Sequence, residues 1–385
     1  MKSGITSLAV LAALGITAPA AAGNWVSEVI ATGLNNPRGL SIGPDGALYI
    51  AESGFYQPGG PTTVNPRGMT AGYSETGSIT RVAGGTQTRI ITGLPSIAVV
   101  NGSDVAGPQD IVFGPDGTGY VLIGLGLNPA NRATDLAPVG SKLGQVWSFT
   151  PGGVTPRADV AAFELANNPA GGAIDSNPFH MAVAGSELLV TDAGANSLLK
   201  VNPVSGDVSL IAAFPPRFIG PPAPFSDSVS TGVAVGPNGN YYVAELTGFP
   251  FTPGAARIYQ VTPDGTVTIA HEGFTMITDI AFGPGGSLFV LELDSNGLAQ
   301  PGGSGQLIRL SNGKRTTILS GLVTPTGLEV DARGRIYVTN FSAAAGIGQV
   351  LAISYVPEPT SWALLITGFG AIGMAARRRR AHVLS

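Results

Sequence analysis

The sequence predicts an all-β chain folded as a six-bladed β-propeller and closed by its own mature N-terminal strand. Three observations carry this expectation. A hairpin of two apolar strands around a Pro-Asp-Gly-like turn recurs six times, and a second hairpin follows most copies. The 385 residues include 56 Gly and 30 Pro with only 11% charged side chains, which suits many short strands joined by tight turns.

The copies follow in order. The first spans residues 36–52 and turns at Pro44-Asp45-Gly46; the second starts at Gly107, turns at Pro115-Asp116-Gly117 and ends at Ile123. A more diverged third runs from Asn177 through Ala184-Gly185-Ser186 to Asp192. The fourth turns at Pro237-Asn238-Gly239, the fifth at Pro284-Gly285-Gly286 and the sixth at Ala332-Arg333-Gly334. Asp, Asn and Gly accept the backbone angles that such turns demand. Further hairpins are predicted over residues 79–91, 257–269 and 307–319. No window of the body keeps apolar residues at helical spacing, so helices are not expected there. In the last copy a third strand at residues 349–353 runs into Pro357 and Pro359. Its missing fourth strand is predicted to be residues 25–30, which removes two unpaired edges at once.

The ends read differently. Lys2, an apolar stretch over residues 5–16 and the small residues Ala20, Ala21 and Ala22 form the three parts of a signal peptide, residues 1–22, cut after Ala22. The propeller body is then residues 24–355. At the other end, residues 356–385 hold Pro357-Glu358-Pro359, an apolar run over 361–376 and Arg377, Arg378, Arg379 and Arg380. The run is at or just below spanning length, and the arginines should stay on the cytoplasmic side. A plain tail anchor is one reading. The order of the three parts resembles the PEP-CTERM sorting signal, which implies a transmembrane segment at 361–376 and handling by an exosortase in a Gram-negative inner membrane. Signal peptidase and exosortase are thus the expected partners during export. The expected destination is the cell surface or extracellular matrix, with transient membrane anchoring.

Leader and tail hold five of the 20 basic and one of the 24 acidic residues, leaving 15 bases against 23 acids in the body. That balance, with no basic stripe, argues against a nucleic-acid partner. The absence of cysteine excludes disulfides, a thiol nucleophile and thiolate metal sites. A monomer is expected.

In a propeller, first-strand starts and second-strand ends share one face beside the central channel. Second-strand ends in register are Glu52, Ile123, Asp192, Glu245, Glu292 and Asn340; first-strand starts are Gly39, Asp110, His180, Gly232, Asp279 and Gly327. Insertions over residues 53–76, 125–143 and 246–255 emerge on the same side, and loops of that length are more often functional than idle. Two readings of the acids stay open. Glu52, Asp192, Glu245 and Glu292 are candidate ligands for a hard cation such as Ca²⁺, or they line a solvated polar channel. The candidate ligand face adds Asp110, His180, Asp279, Asn340, Phe249 and Phe251. His180 is either a structural hydrogen-bonding residue or an acid–base group, and the two phenylalanines either line a ligand site or pack on a neighbouring loop. There is no Gly-x-Ser-x-Gly elbow, no Gly-rich loop entering a helix and no pair of metal-binding histidines.

Residues 33–54 and 119–126, the string Ser230-Thr231-Gly232-Val233-Ala234-Val235, Glu245-Leu246-Thr247-Gly248-Phe249-Pro250-Phe251 and Pro325-Thr326-Gly327-Leu328 resemble the ScyD/ScyE family. The resemblance spans residues 24–355. It implies an exported, NHL-like propeller and transfers no catalytic residues. The expected function is a non-enzymatic surface or matrix protein that binds an unidentified ligand through its insertion-rich face. Alternatives are a metal-dependent hydrolase of the gluconolactonase type and a purely structural matrix component; a quinoprotein is disfavoured because the ring is acidic.

Overall fold

The computed structural model describes residues 23–102, 104–150, 152–220, 225–357 and 367–370. The signal-peptide residues, Ala20 and Ala22 among them, lie outside this set, as do Glu358, Pro359 and Arg377 to Arg380; Pro357 ends the last strand. The chain divides into one unit spanning Ser27–Ser354 and a second formed by its two ends. In the second unit Trp25 and Tyr355 meet edge to face at 5.3 Å. No helix among the described residues is long and apolar enough to cross a membrane.

Six antiparallel sheets make up the larger unit as six blades, each with its strands in order from first to fourth. The first strands are Pro37–Ile42, Pro108–Phe113, Pro178–Ala184, Ser230–Val235, Ile277–Phe282 and Leu328–Val330. Blade 6 is ordered Gly23–Leu34, Gly348–Pro357, Ile336–Asn340, Leu328–Val330, so the N-terminal strand supplies its fourth position as expected. The turns follow the predicted chemistry. Asp45 accepts the N–H of Ala47, Asn238 that of Asn240 and Asp331 that of Arg333. The next residue in the first two turns, Gly46 and Gly239, has φ of +73° and +79°, where a Cβ would be strained.

The core lies between blades. Ala51 and Ile79 of blade 1 pack with Ile111 and Val121 of blade 2, and Leu34, Leu40 and Val350 join blades 1 and 6. An edge-to-face pair recurs, Tyr49 with Phe113 at 4.8 Å and Tyr242 with Phe282 at 4.9 Å. Each seals a second strand against the next blade's first strand.

Two features depart from expectation. Residues 70–76 belong to the long strand Thr70–Ala83, which runs past the blade and pairs with Thr86–Val99, while Thr62–Val64 adds a short hairpin. A helix, Val160–Asn167, sits in the body where none was expected. Asp159 caps its N-terminus through the Ala162 N–H, and Asn168 ends it in the left-handed region. Eight residues are too few to show a helical period against the surrounding strands.

Candidate functional site

The first-strand starts do converge. Five first strands carry a register break near the channel, between Pro37 and Leu40, Pro108 and Asp110, Pro178 and His180, Ser230 and Val233, and Ile277 and Asp279. Bulges of this kind re-aim a side chain. His180 of blade 3 thereby reaches two other blades: Nδ1 is 3.1 Å from an Asp110 carboxylate oxygen and Nε2 2.9 Å from one of Asp279. Those same oxygens accept N–H groups from the following blades, Asp110 from Met181 at 2.7 Å and Asp279 from Leu328 at 2.6 Å. The imidazole nitrogens sit at ion-pair distance without good hydrogen-bond alignment, and the other Asp110 oxygen has no hydrogen-bond partner. All three residues are buried.

The remaining three positions of this ring are glycines because there is no room for more. A Cβ on Gly39 would fall onto the Asp110 carboxylate, one on Gly327 onto the Arg38 carbonyl, and one on Gly232 would lie 2.7 Å from the Asp279 Cα. Three side chains and three glycines close the channel. Above them the Arg38 guanidinium bridges the carbonyls of Ser342 and Val105 at 2.9 and 3.0 Å, and burial lowers its pKa against the pull of Asp104.

Below the constriction is a cavity of about 280 Å³ walled by the six first strands. Glu329 enters it, two residues beyond Gly327; the equivalent positions are Ser41, Val112, Ala182, Ala234 and Ala281. Burial pushes the Glu329 carboxyl up to about 8, helped by Asp279 and Asp110 and opposed by an Ile42 backbone bond and His180. Burial likewise raises Asp110 to about 7, with His180 holding it down and Asp279 pushing it up. For His180 burial disfavours the charged ring, but Asp110 and Asp279 outweigh it and lift the pKa to about 10. At neutral pH the site is therefore an imidazolium set between Asp279 and an Asp110 carboxyl that titrates close to neutrality, with a protonated acid beneath. Glu329 was not among the candidate residues; its signal was its place two residues past a channel glycine.

The second-strand ends are in register but do not line the channel, and this corrects the expected acid ring. Their side chains run along the blade toward its third and fourth strands or cap the loop entering it. Glu52 accepts the Asn35 N–H at 2.7 Å and takes the Arg89 guanidinium in a fork at 2.8 and 3.0 Å. Asp192 accepts N–H groups from Asn177, Gly194 and Ala195 and the Ser176 hydroxyl. Glu245 binds Arg217 at 2.7 and 3.0 Å and the Arg257 N–H. Glu292 binds the Thr275 N–H and Gln306, and Asn340 accepts the Val323 N–H at 2.7 Å. Burial raises both Asp192 and Glu292 despite these donors. Each carboxylate is thus engaged by its own set of donors, Glu245 by an arginine of a separate hairpin, and among the described residues no three His, Asp or Glu side chains group to hold a metal.

The insertion side carries the open concavity. Cavities of about 230 and 420 Å³ share Asn65, Pro66, Asp175, Gly194, Asn196 and Asp227 as lining and form one cleft over blades 1 to 4. It was missed in the sequence because its acids lie in connections that have no repeat register. Burial raises the Asp175 carboxyl to about 6, with Asp192 adding to the effect, a Ser176 backbone bond and Arg67 opposing it, and Asp227 adding again. Beside the cleft, Leu246, Thr247 and Gly248 donate N–H bonds to the carbonyls of Val229, Ser228 and Asp227. That binds the 246–255 loop to a hairpin formed by Arg217–Phe218 and Phe225–Ser226. Phe249 is 69% exposed, Phe218 67% and Phe225 63%; Phe218 meets Phe225 edge to face at 5.9 Å, and Phe249 meets Phe251 in the same way at 6.1 Å.

No family model matches the chain, and no curated protein does. Solved structures similar to it include the PQQ-bound aldose sugar dehydrogenase of Streptomyces coelicolor, at TM-score 0.49 and 14% identity over 88% of this chain and 100% of that one. A glucose dehydrogenase has TM-score 0.49 and 15% identity over 86% and 99%. The calcium structure of a Trichoderma reesei Carbohydrate-Active Enzymes Family AA12 protein has TM-score 0.48 and 13% identity over 89% and 99%. By its own sheet order the chain is an all-β, six-bladed β-propeller.

Proposed function

We propose that the chain is an exported, non-catalytic binding propeller of the ScyD/ScyE kind, sorted through its tail by an exosortase and acting at the cell surface or in the extracellular matrix. Its working surface is the insertion-rich face. One observation carries this reading: the channel is filled by Asp110, His180 and Asp279 held at ion-pair distance, while the insertion face holds an open cleft and exposed phenylalanines. Exposed aromatics gathered beside a cleft are what a docking surface requires. A metal-dependent hydrolase would need several hard oxygen ligands converging on one ion, and Glu52, Asp192, Glu245 and Glu292 are each engaged by separate donors.

The test is retention of the full-length chain in the extracellular matrix of its host. Replacing Phe218, Phe225 and Phe249 together by Ser should cut retention at least tenfold with folding unchanged. Equal retention, or calcium-dependent lactone hydrolysis by the purified chain, would sink the proposal.

A further inference from the structure

The lining of the insertion-face cleft is uneven in charge. Arg67 is already engaged by Asp104, leaving Asp175 and Asp227 as surplus acids. One Asp175 carboxylate oxygen is buried and has no hydrogen-bond partner. Among the described residues no hydrogen bond or ion pair reaches the Asp227 carboxylate, since the bonds at this residue end on its backbone carbonyl. Two carboxylates lining one cleft repel anions and gain from a cation.

The walls narrow the choice of cation. Pro66, Ile174, Pro216 and Val229 give the cleft an apolar flank. A metal ion prefers six to eight oxygens and usually several carboxylates, whereas an organic cation on an aliphatic stem needs both an apolar flank and an acidic end. We propose that the cleft receives the ammonium or guanidinium group of a lysine- or arginine-type side chain. The partner thus presents a basic residue to Asp175 and Asp227, with its methylene stem against the apolar flank. This rests on the reading of the insertion face as the binding surface. The cation makes charge-assisted hydrogen bonds to both carboxylates and supplies the missing partner of the buried oxygen.

Calorimetric titration of the purified full-length chain tests it with four probes: the N-acetyl, N′-methylamide derivatives of lysine, arginine and norleucine, and calcium chloride. The lysine and arginine derivatives should saturate the protein, and the uncharged norleucine derivative should bind at least tenfold more weakly. Asp175→Asn with Asp227→Asn should weaken the two cations at least tenfold. Asp264→Asn, in a turn on the opposite face, should leave them unchanged. If the double variant does not fold, Asp227→Asn alone, at an exposed position, should still weaken binding at least threefold. Equal binding of lysine and norleucine derivatives, cation binding indifferent to both acids, or calcium held more tightly than either organic cation at these acids would overturn the inference. Loss of matrix retention in the phenylalanine variant without binding of either cationic derivative removes this inference and leaves the face assignment standing. Undiminished retention removes the face assignment itself.

Discussion

The channel constriction and the insertion-face cleft use the same residue types to opposite ends. In the constriction two aspartates and a histidine come from three different blades and meet at ion-pair distance, and glycines occupy the positions where a fourth side chain would collide. In the cleft neither Asp175 nor Asp227 has an ion-pair partner among the described residues, Arg67 acting on Asp175 only from farther off, and as at Asp110 one oxygen is buried unpaired. Perturbed acids are common to both, so a shifted carboxyl alone does not mark a binding site. What separates the two places is whether the protein itself supplies the opposite charge.

The difference can be broken from the constriction side first. His180→Leu leaves Asp110 and Asp279 buried without a cation and should cost about 3–5 kcal/mol in chemical denaturation. A cost under about 1 kcal/mol would mean that the brace is not a brace. Gly39→Ala, which forces a methyl group onto the Asp110 carboxylate, should cost about 1–3 kcal/mol; a neutral result would show that the ring has spare room.

The pH dependence sharpens the comparison, because His180, Asp110 and Glu329 are all shifted upward. His180 is raised from 6.5 to about 10, so its stabilisation is complete below pH 6.5 and is lost as pH climbs through about 10. Asp110 and Glu329, raised from 3.8 and 4.5 to about 7 and about 8, stay protonated longer when folded. They lower stability as pH rises from about 4 to those values. The urea midpoint should therefore fall steadily from pH 5 to 10. His180→Leu removes the histidine's share of that fall and lets Asp110 and Glu329 titrate higher, so the slope between pH 7 and 10 should change and flatten towards pH 10; an unaltered slope there would detach the histidine from it. The smallest effect belongs to the cleft. Asp175→Asn should change stability by no more than about 1 kcal/mol, and upward if at all, because it replaces an acid that folding disfavours in its charged form. A larger loss would place Asp175 in the framework of the fold.

Much of the fold was legible because the Pro-Asp-Gly hairpins repeat, and Pro357 after a third strand called for a borrowed fourth. Asp110, His180 and Asp279 were legible too, since equal register around a propeller brings equal positions together. Glu52, Asp192, Glu245 and Glu292 were read at the right height with the wrong role. Strand position gives height, but only the partners decide whether a side chain turns to the channel or along its blade: Arg89, Arg217 and Gln306 draw three of them outward, and Ser176 with loop N–H groups holds Asp192. Asp175 and Asp227 were invisible for a different reason. They sit in irregular connections, where no period relates one residue to the next and three-dimensional proximity leaves no trace in spacing.

The strand pairing of blade 6 also fixes which way the molecule looks. Asn340 pairs with Gln349 on the insertion side and Ile336 with Ile353 at the far side, and Leu34 leads directly into the first strand at the insertion side. Chain entry at Ser27 and exit at Ser354 therefore fall at the rim opposite the cleft. A group attached to the propeller at Ser27 or Ser354 would thus leave the cleft side uncovered.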